Sequence, residues 1–178
     1  MNSIIFSKNV RMRPFVGTGY FDGEWMGRLL ILGESHYHDT SDVRSDFTET
    51  LMMDIASGKW KKRYWTSLSR LVTGKPTREI DRSKFWNSVA FYNYVQFIVG
   101  AKSRVRPDAG MWENSKAPML EVLHTLKPDR ILVCGIELGK HLPDIPSPIK
   151  TLIITHPSAP NFGKIDSSIA LVQRFLQS

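Results

Sequence analysis

Four short apolar segments divide the chain, and each is bounded by polar residues, glycine or proline. They are GRLLILGE (27–34), NSVAFYNY (87–94), DRILVCG (129–135) and IKTLIITH (149–156). Their apolar character is nearly continuous rather than alternating, which is typical of strands buried on both faces of a parallel sheet. The pattern therefore predicts four strands of a mostly parallel sheet.

Segments with helical spacing of apolar residues lie between and after these strands. Residues 40–58 and 59–74 each contain such spacing and each end at a glycine. Residues 115–128 and 166–178 carry apolar residues three and four positions apart. Strands that alternate with helices predict one domain, residues 1–178, folded as an α/β protein: a three-layer α/β/α sandwich around a four-stranded sheet.

Composition and charge narrow the class of protein. Apolar residues make up 42% of the chain and charged residues 23%, which is typical of a soluble globular protein. The one cysteine excludes an internal disulfide and a four-cysteine zinc site. No apolar stretch approaches the roughly 20 residues of a membrane span, and the first residues lack the apolar core of a signal peptide. We therefore expect a cytoplasmic, monomeric protein without membrane contact. The formal charge of +7 favours polyanions as partners.

Polar side chains gather at the ends of the predicted strands. The four strands are followed by or end in GESHYH, FYNYVQ, CGIELGK and THPSAP. In open α/β sheets ligands bind at the carboxyl ends of the strands, where the connecting loops meet. The sequence therefore predicts a functional site at that edge.

Three of these segments together resemble the motifs of the uracil-DNA glycosylase superfamily. GESHYH is similar to the family's first motif, of the type G-Q-D-P-Y-H or G-E-A-P-G, SVAFYN to a second strand that ends in Asn, and HPSAP to H-P-S-P. The resemblance covers roughly residues 27 to 163. It implies a DNA glycosylase-like protein that extracts a deaminated base, uracil or a related one, from single- or double-stranded DNA and hydrolyses its N-glycosidic bond, with no cofactor and no metal.

The resemblance also implies roles for single residues. His156 would donate a hydrogen bond to the base oxygen that gains negative charge. The amide of Asn93 would pair with the polar edge of the base, and Gly33 would let the backbone approach it. Tyr37 would lie against C5 of the base and exclude a methyl group.

Further contacts follow from the same likeness. Phe47 or Phe91 could supply an aromatic platform under the extracted base. We expect contacts with the DNA backbone from residues of the last motif and from basic residues that follow the strands: Pro157, Ser158, His38, Lys102 and Arg104.

The first motif departs from the family pattern at the catalytic position. Ser35 stands where G-Q-D-P-Y-H has Asp, and a neutral hydroxyl can neither stabilise a cationic sugar as a carboxylate does nor act as a base at neutral pH. Glu34, one residue earlier, could supply the missing carboxylate, or it could form an ion pair with a nearby Arg or Lys. The catalytic candidates are therefore Glu34, Ser35 and His156, and the alternative is a weakly active or inactive module that binds DNA or a nucleotide.

Other interpretations of the same residues remain open. His36 and His38 could ligate a metal together with Asp39 and His156, although a base or phosphate contact is the simpler explanation. Asn93 could instead cap a turn. The basic and aromatic segment KWKKRYW (59–65) fits either a nucleic-acid surface or an amphipathic helix whose aromatic residues face the core.

Overall fold

The central sheet has five strands in the order β1-β3-β2-β4-β5. A computed structural model describes residues 4–25, 27–60, 62–102, 105–159 and 165–178. Strands β2 to β5 pair in parallel with their neighbours, whereas β1 is antiparallel to β3. Their bounds are β1 Phe15–Val16, β2 Leu29–Gly33, β3 Ala90–Asn93, β4 Arg130–Cys134 and β5 Lys150–Ile154.

The α/β class and the mostly parallel sheet are confirmed, but the predicted number of four strands is wrong. The additional strand β1 lies at the edge of the sheet, where Phe15 pairs with Phe91. It has only two residues, which is too short for any periodicity to be visible in the sequence. All four predicted strands exist with shorter bounds.

Seven α-helices are present within the described residues. They are α1 Phe47–Ala56, α2 Arg63–Thr73, α3 Arg82–Asn87, α4 Ala109–Glu113, α5 Lys116–Leu126, α6 Ile136–Lys140 and α7 Ile165–Gln177, with 3-10 turns at Tyr20–Asp22 and Thr77–Glu79. None of these helices is long and apolar enough to cross a bilayer.

The helix bounds correct two sequence predictions. Helix α1 begins at Phe47 rather than at residue 40, because Thr40 uses its hydroxyl to accept the Asp42 N–H in a local turn. Helix α3 ends at Asn87, where a strand was predicted to begin. Its start is fixed by the side chain of Asp81, which accepts the backbone N–H of Lys84 at 2.9 Å.

Two apolar cores lie on opposite faces of the sheet. Alternate residues of the strands, such as Ile31 and Leu132, pack on one face against α1, α2, α3 and α7. The intervening residues, such as Leu32 and Val133, pack on the other face against α4 and α5. Helices therefore cover both faces, which explains why β2, β3 and β4 are buried throughout.

Strand β5 differs from the other parallel strands. Lys150, Thr151 and Ile153 are exposed, so the prediction that this strand is buried on both faces is wrong. The physical reason is its place at the edge of the sheet, where only β4 pairs with it.

We expect Leu132→Ala in the central strand β4 to lower the free energy of unfolding by about 2 to 5 kcal/mol, because it leaves a cavity in a fully buried position. Leu171→Ala on α7 is the matched control, since that side chain is 40% exposed and should change stability by less than about 1 kcal/mol. Urea unfolding measures both. Equal losses for the two variants would contradict the core described above.

Candidate functional site

The carboxyl ends of β2, β3, β4 and β5 meet at one edge of the sheet. Asn93 and His156 lie on the same face there, because Phe91 and Ile154, two residues before each of them, belong to the same core. The strands that carry them are not neighbours, however. Strands β2 and β4 lie between β3 and β5, so three strand spacings of about 4.8 Å separate the two backbones.

The side chain of Asn93 leans over β2 because Gly33 has no side chain. The two residues are paired in the parallel register, and a Cβ built on Gly33 would lie 2.1 Å from Asn93 Oδ1. Asn93 is only 6% exposed, yet within the described residues no hydrogen bond to its side-chain amide is found. A nearly buried amide with free donors and a free acceptor can pair with the polar edge of a ligand.

The chain after β2 stays extended beside the chain after β3. The carbonyl of Glu34 accepts the N–H of Val95 at 2.8 Å, and the N–H of His38 donates to the carbonyl of Gly100 at 3.0 Å. The motif GESHYH therefore forms an extended rim that continues the β2–β3 pair.

His156 lies at the same edge of the sheet but follows β5, beyond β2 and β4 from Asn93. Its ring stacks on Tyr64 of α2 at 5.1 Å between centroids and 24° between planes. The N–H of Ser158 donates to His156 Nδ1 at 3.2 Å. Because Nδ1 accepts, the proton of the neutral ring lies on Nε2, which is then a hydrogen-bond donor.

The charge state of His156 follows from its surroundings. Partial burial against Tyr64 lowers the pKa of the imidazole, and the positive charge of Arg106 lowers that pKa further. The ring is therefore neutral near pH 7, and its Nε2–H is available as a donor without a full positive charge.

Glu34 forms an ion pair with Arg106, with 3.1 Å between Oε2 and an Nη atom. The glutamate side chain is only 11% exposed and the arginine side chain 54%. Burial raises the pKa of Glu34, whereas Arg106 opposes that rise. Of the two interpretations of Glu34, the ion pair is thus present, and it places the carboxylate and His156 within the field of one guanidinium.

Two further groups complete the floor of this edge. The hydroxyl of Ser35 is buried and lacks a hydrogen-bond partner among the described residues. The thiol of Cys134 donates to the carbonyl of Leu132 at 3.8 Å, and burial raises the pKa of this thiol to about 12. Cys134 is therefore an inert thiol in the core beneath the site.

The two histidines of the first motif belong to a separate cluster. His36 is buried, its Nε2 lies 2.9 Å from the hydroxyl of Thr48, and its ring contacts Phe47 edge to face. The exposed His38 contacts the same Phe47 ring at 5.4 Å. The interpretation of His36 as a base or phosphate contact is therefore wrong, because it is a core residue. No group of three possible metal ligands occurs in the part of the chain that the structure describes.

The remaining predicted contacts have mixed positions. Tyr37, Lys102 and Ser158 are exposed, whereas Pro157 is buried and offers little surface to a DNA backbone. Arg104 lies outside the described residues.

The two candidates for an aromatic platform have different environments. Phe47 is half-buried and its ring contacts both histidines of the first motif edge to face. Phe91, whose Cζ lies close to Gly33, is almost fully buried against Trp65.

Cavities occur elsewhere on the molecule. One of about 810 Å³ lies at the opposite edge of the sheet, where Arg28, Lys127 and Ile149 line it. Another of about 370 Å³ lies beside the loop after β3, between Met12, Val43 and Phe97.

Sequence reasoning missed two members of the site. Arg106 belongs to the basic loop that follows β3, and Tyr64 belongs to the basic and aromatic segment at the start of the second predicted helix. Both segments stand out in the sequence by composition, but neither composition nor spacing indicates that one residue of each would contact His156 or Glu34.

Comparisons with known proteins add no family: no family model matches the sequence, and no curated protein matches it. The likeness to uracil-DNA glycosylases therefore rests on the residues of the three motifs.

We expect Arg106→Gln to raise the pKa of both His156 and Glu34. Removal of the guanidinium relieves the repulsion of the imidazolium and withdraws the charge that favours the carboxylate. NMR titration of the imidazole and carboxyl resonances measures both values. Lys102→Gln, an exposed change in the same loop, is the control and should leave both in place. Unchanged pKa values of His156 and Glu34 in Arg106→Gln would show that Arg106 does not set the charge states of the two groups.

We expect His36 to make the protein less stable in acid. Burial lowers its pKa from 6.5 to about 3, so between these values the unfolded chain binds a proton that the folded chain does not. From pH 5.5 to pH 4, well between the two pKa values, the free energy of unfolding should therefore fall by about 1.3 kcal/mol per pH unit from this group alone. Urea unfolding of His36→Gln should show a slope smaller by that amount, whereas the exposed His124→Gln should keep the original slope. The same slope in both variants would be the contrary result.

Proposed function

We propose that the protein is a DNA glycosylase-like enzyme that binds a deaminated base, extracted from DNA, between Asn93 and His156 and hydrolyses its N-glycosidic bond. The observation that carries the proposal is the Asn93 amide, which is nearly buried, lies over the bare backbone of Gly33 and has no partner within the described residues. The amide atoms are not among the fully buried side-chain atoms without a partner, so they reach solvent at this edge and a ligand with a matching polar edge can pair with them.

The imide edge of uracil and the related edge of hypoxanthine each present donors and acceptors in one plane. The amide of Asn93 can pair with such an edge, and a base with the opposite pattern would leave buried polar groups unpaired. The missing side chain at Gly33 lets the Asn93 amide lie over the end of β2, where its polar atoms can meet a ligand. These features support selection of the base by hydrogen bonding.

His156 supports the departure of the base. When the bond between the sugar carbon C1′ and the base nitrogen breaks, the electron pair stays on the base, and the charge develops on its oxygen. A neutral imidazole with its proton on Nε2 can donate to that oxygen as the charge grows. The departing base then takes a proton from water, whose hydroxide oxygen forms the new bond to C1′.

Glu34 supports the attack of water. Its partly buried carboxylate has a raised pKa, which strengthens it as a base, and its negative charge would stabilise the cationic sugar. Ser35 carries no charge and serves at most as a hydrogen-bonding group. For Glu34 to act in this way, bound DNA phosphate would have to draw Arg106 away from it.

A second candidate function is a module that binds a base in DNA without cleaving it. The ion pair between Glu34 and Arg106 favours it, because a carboxylate held at 3.1 Å by a guanidinium is a weakened base. The two functions differ in whether the wild-type protein releases the base. If it does, replacement of Glu34 should slow hydrolysis but leave binding almost unchanged.

We expect the wild-type protein to release the base from single-stranded oligonucleotides that contain uracil or hypoxanthine, measured as alkali-labile sites in single-turnover reactions. His156→Gln should slow release about 100-fold or more, since it removes a donor that acts on the developing charge. Glu34→Gln should slow release with little loss of binding, and Asn93→Ala should weaken both.

His124→Gln, an exposed histidine near the end of α5, is the matched control and should retain full activity. Tight binding of these oligonucleotides without release by the wild-type protein would favour the binding module. Neither binding nor release would refute the proposal.

A further inference from the structure

The three aromatic residues of the segment KWKKRYW have different environments. Trp65 is half-buried and contacts Trp86 and Phe91, as expected for an amphipathic helix. Tyr64 supports the ring of His156. Trp60 lies before α2 and is 39% exposed, so it contributes little to either role. The core interpretation of this segment therefore explains Trp65 but leaves Trp60 without a function.

The exposed indole carries a lysine over its ring and lies in a basic segment. Nζ of Lys62 lies 4.5 Å from the centre of the Trp60 ring, where a cation–π contact holds the ring in place. Lys62 and Arg63 are exposed, and neither has a carboxylate partner in the ranges that the structure describes. Lys59, by contrast, is paired with Asp54 at 3.0 Å. The surface thus combines an aromatic ring with two uncompensated positive charges.

The backbone of this surface lies close to the candidate site. Tyr64 follows Trp60 by four residues, so their Cα atoms are at most about 14 Å apart. Since the Tyr64 ring stacks on His156, a single strand of several nucleotides, at roughly 3.4 Å for each stacked nucleotide, is long enough to reach from that histidine to Trp60.

We propose that Trp60 stacks an unpaired base of single-stranded DNA next to the extracted base, while Lys62 and Arg63 bind the adjoining phosphates. The inference rests on the proposed function for the identity of its ligand. An exposed ring flanked by cations suits a single strand, because every base has a face that can stack and every linkage carries a charge. A paired base in a duplex presents no free face to the indole.

The test is equilibrium binding of a 12-residue oligothymidylate to the full-length protein, followed by tryptophan fluorescence and by anisotropy of a labelled strand. We expect Trp60→Ala to weaken binding about 10-fold and to remove most of the quenching, whereas Trp60→Phe, which keeps a ring, should recover most of the affinity. Phe21→Ala is the aromatic control, because Phe21 is also exposed, at 54%, but lies in the separate 3-10 turn at Tyr20–Asp22.

The charges have their own test. Lys62→Gln together with Arg63→Gln should reduce the slope of log affinity against log salt by about 1.4, at roughly 0.7 for each phosphate contact to a single strand. Lys75→Gln, an exposed lysine just beyond the other end of α2, should leave that slope unchanged.

Three results would overturn the inference. The first is that Trp60→Ala binds the oligonucleotide as tightly as the wild type does. The second is that Trp60→Ala loses as much affinity for a fully paired duplex as for the single strand. The third is that an acidic peptide binds equally tightly through Trp60, which would indicate a protein partner. The role of Trp60 in binding and the release of the base are measured separately. Release with Trp60-independent binding would refute only this surface, whereas Trp60-dependent binding without release would refute only the hydrolysis.

Discussion

The close approach of the Asn93 amide to the backbone of Gly33 is the contact on which the candidate site depends. It requires the parallel register that sets the ends of β2 and β3 side by side, and it requires that Gly33 carry no Cβ, which would otherwise lie 2.1 Å from the amide oxygen. The buried central strands supply the register, because helices cover both of their faces. Stability of the sheet and exposure of a polar amide at its edge therefore have the same structural origin.

Arg106 sets the charge balance of the site. It stabilises the carboxylate of Glu34 and disfavours the charged form of His156, so one guanidinium favours an anion at Glu34 and a neutral donor at His156. A site with a neutral imidazole donor and a carboxylate suits a reaction in which negative charge develops at one place and positive charge at another. The same arginine is more than half exposed, which leaves it accessible to a phosphate that could compete for it.

Helix α2 connects the core, the site and the proposed DNA surface. Trp65 packs into the core and Tyr64 stacks on His156. Trp60, just before the helix, lies at the surface. Because the Tyr64 ring contacts the ring of Trp65 edge to face, the orientation of His156 is coupled to the packing of the first core. The segment of ambiguous composition thus contributes Trp65 to the core, whereas the proposed DNA surface uses Trp60.

The sequence by itself determined the class of fold and the edge at which polar residues gather. Continuous apolar runs indicate buried strands, glycines and capping residues mark helix ends, and the parallel arrangement follows from their alternation, all of which are local properties. Only the tertiary structure decided that His36 is a core residue, that Glu34 pairs with Arg106 and that Tyr64 supports His156. These contacts join residues that lie up to 92 positions apart or in a loop without periodicity, and the burial that shifts their pKa values exists only once the layers have packed.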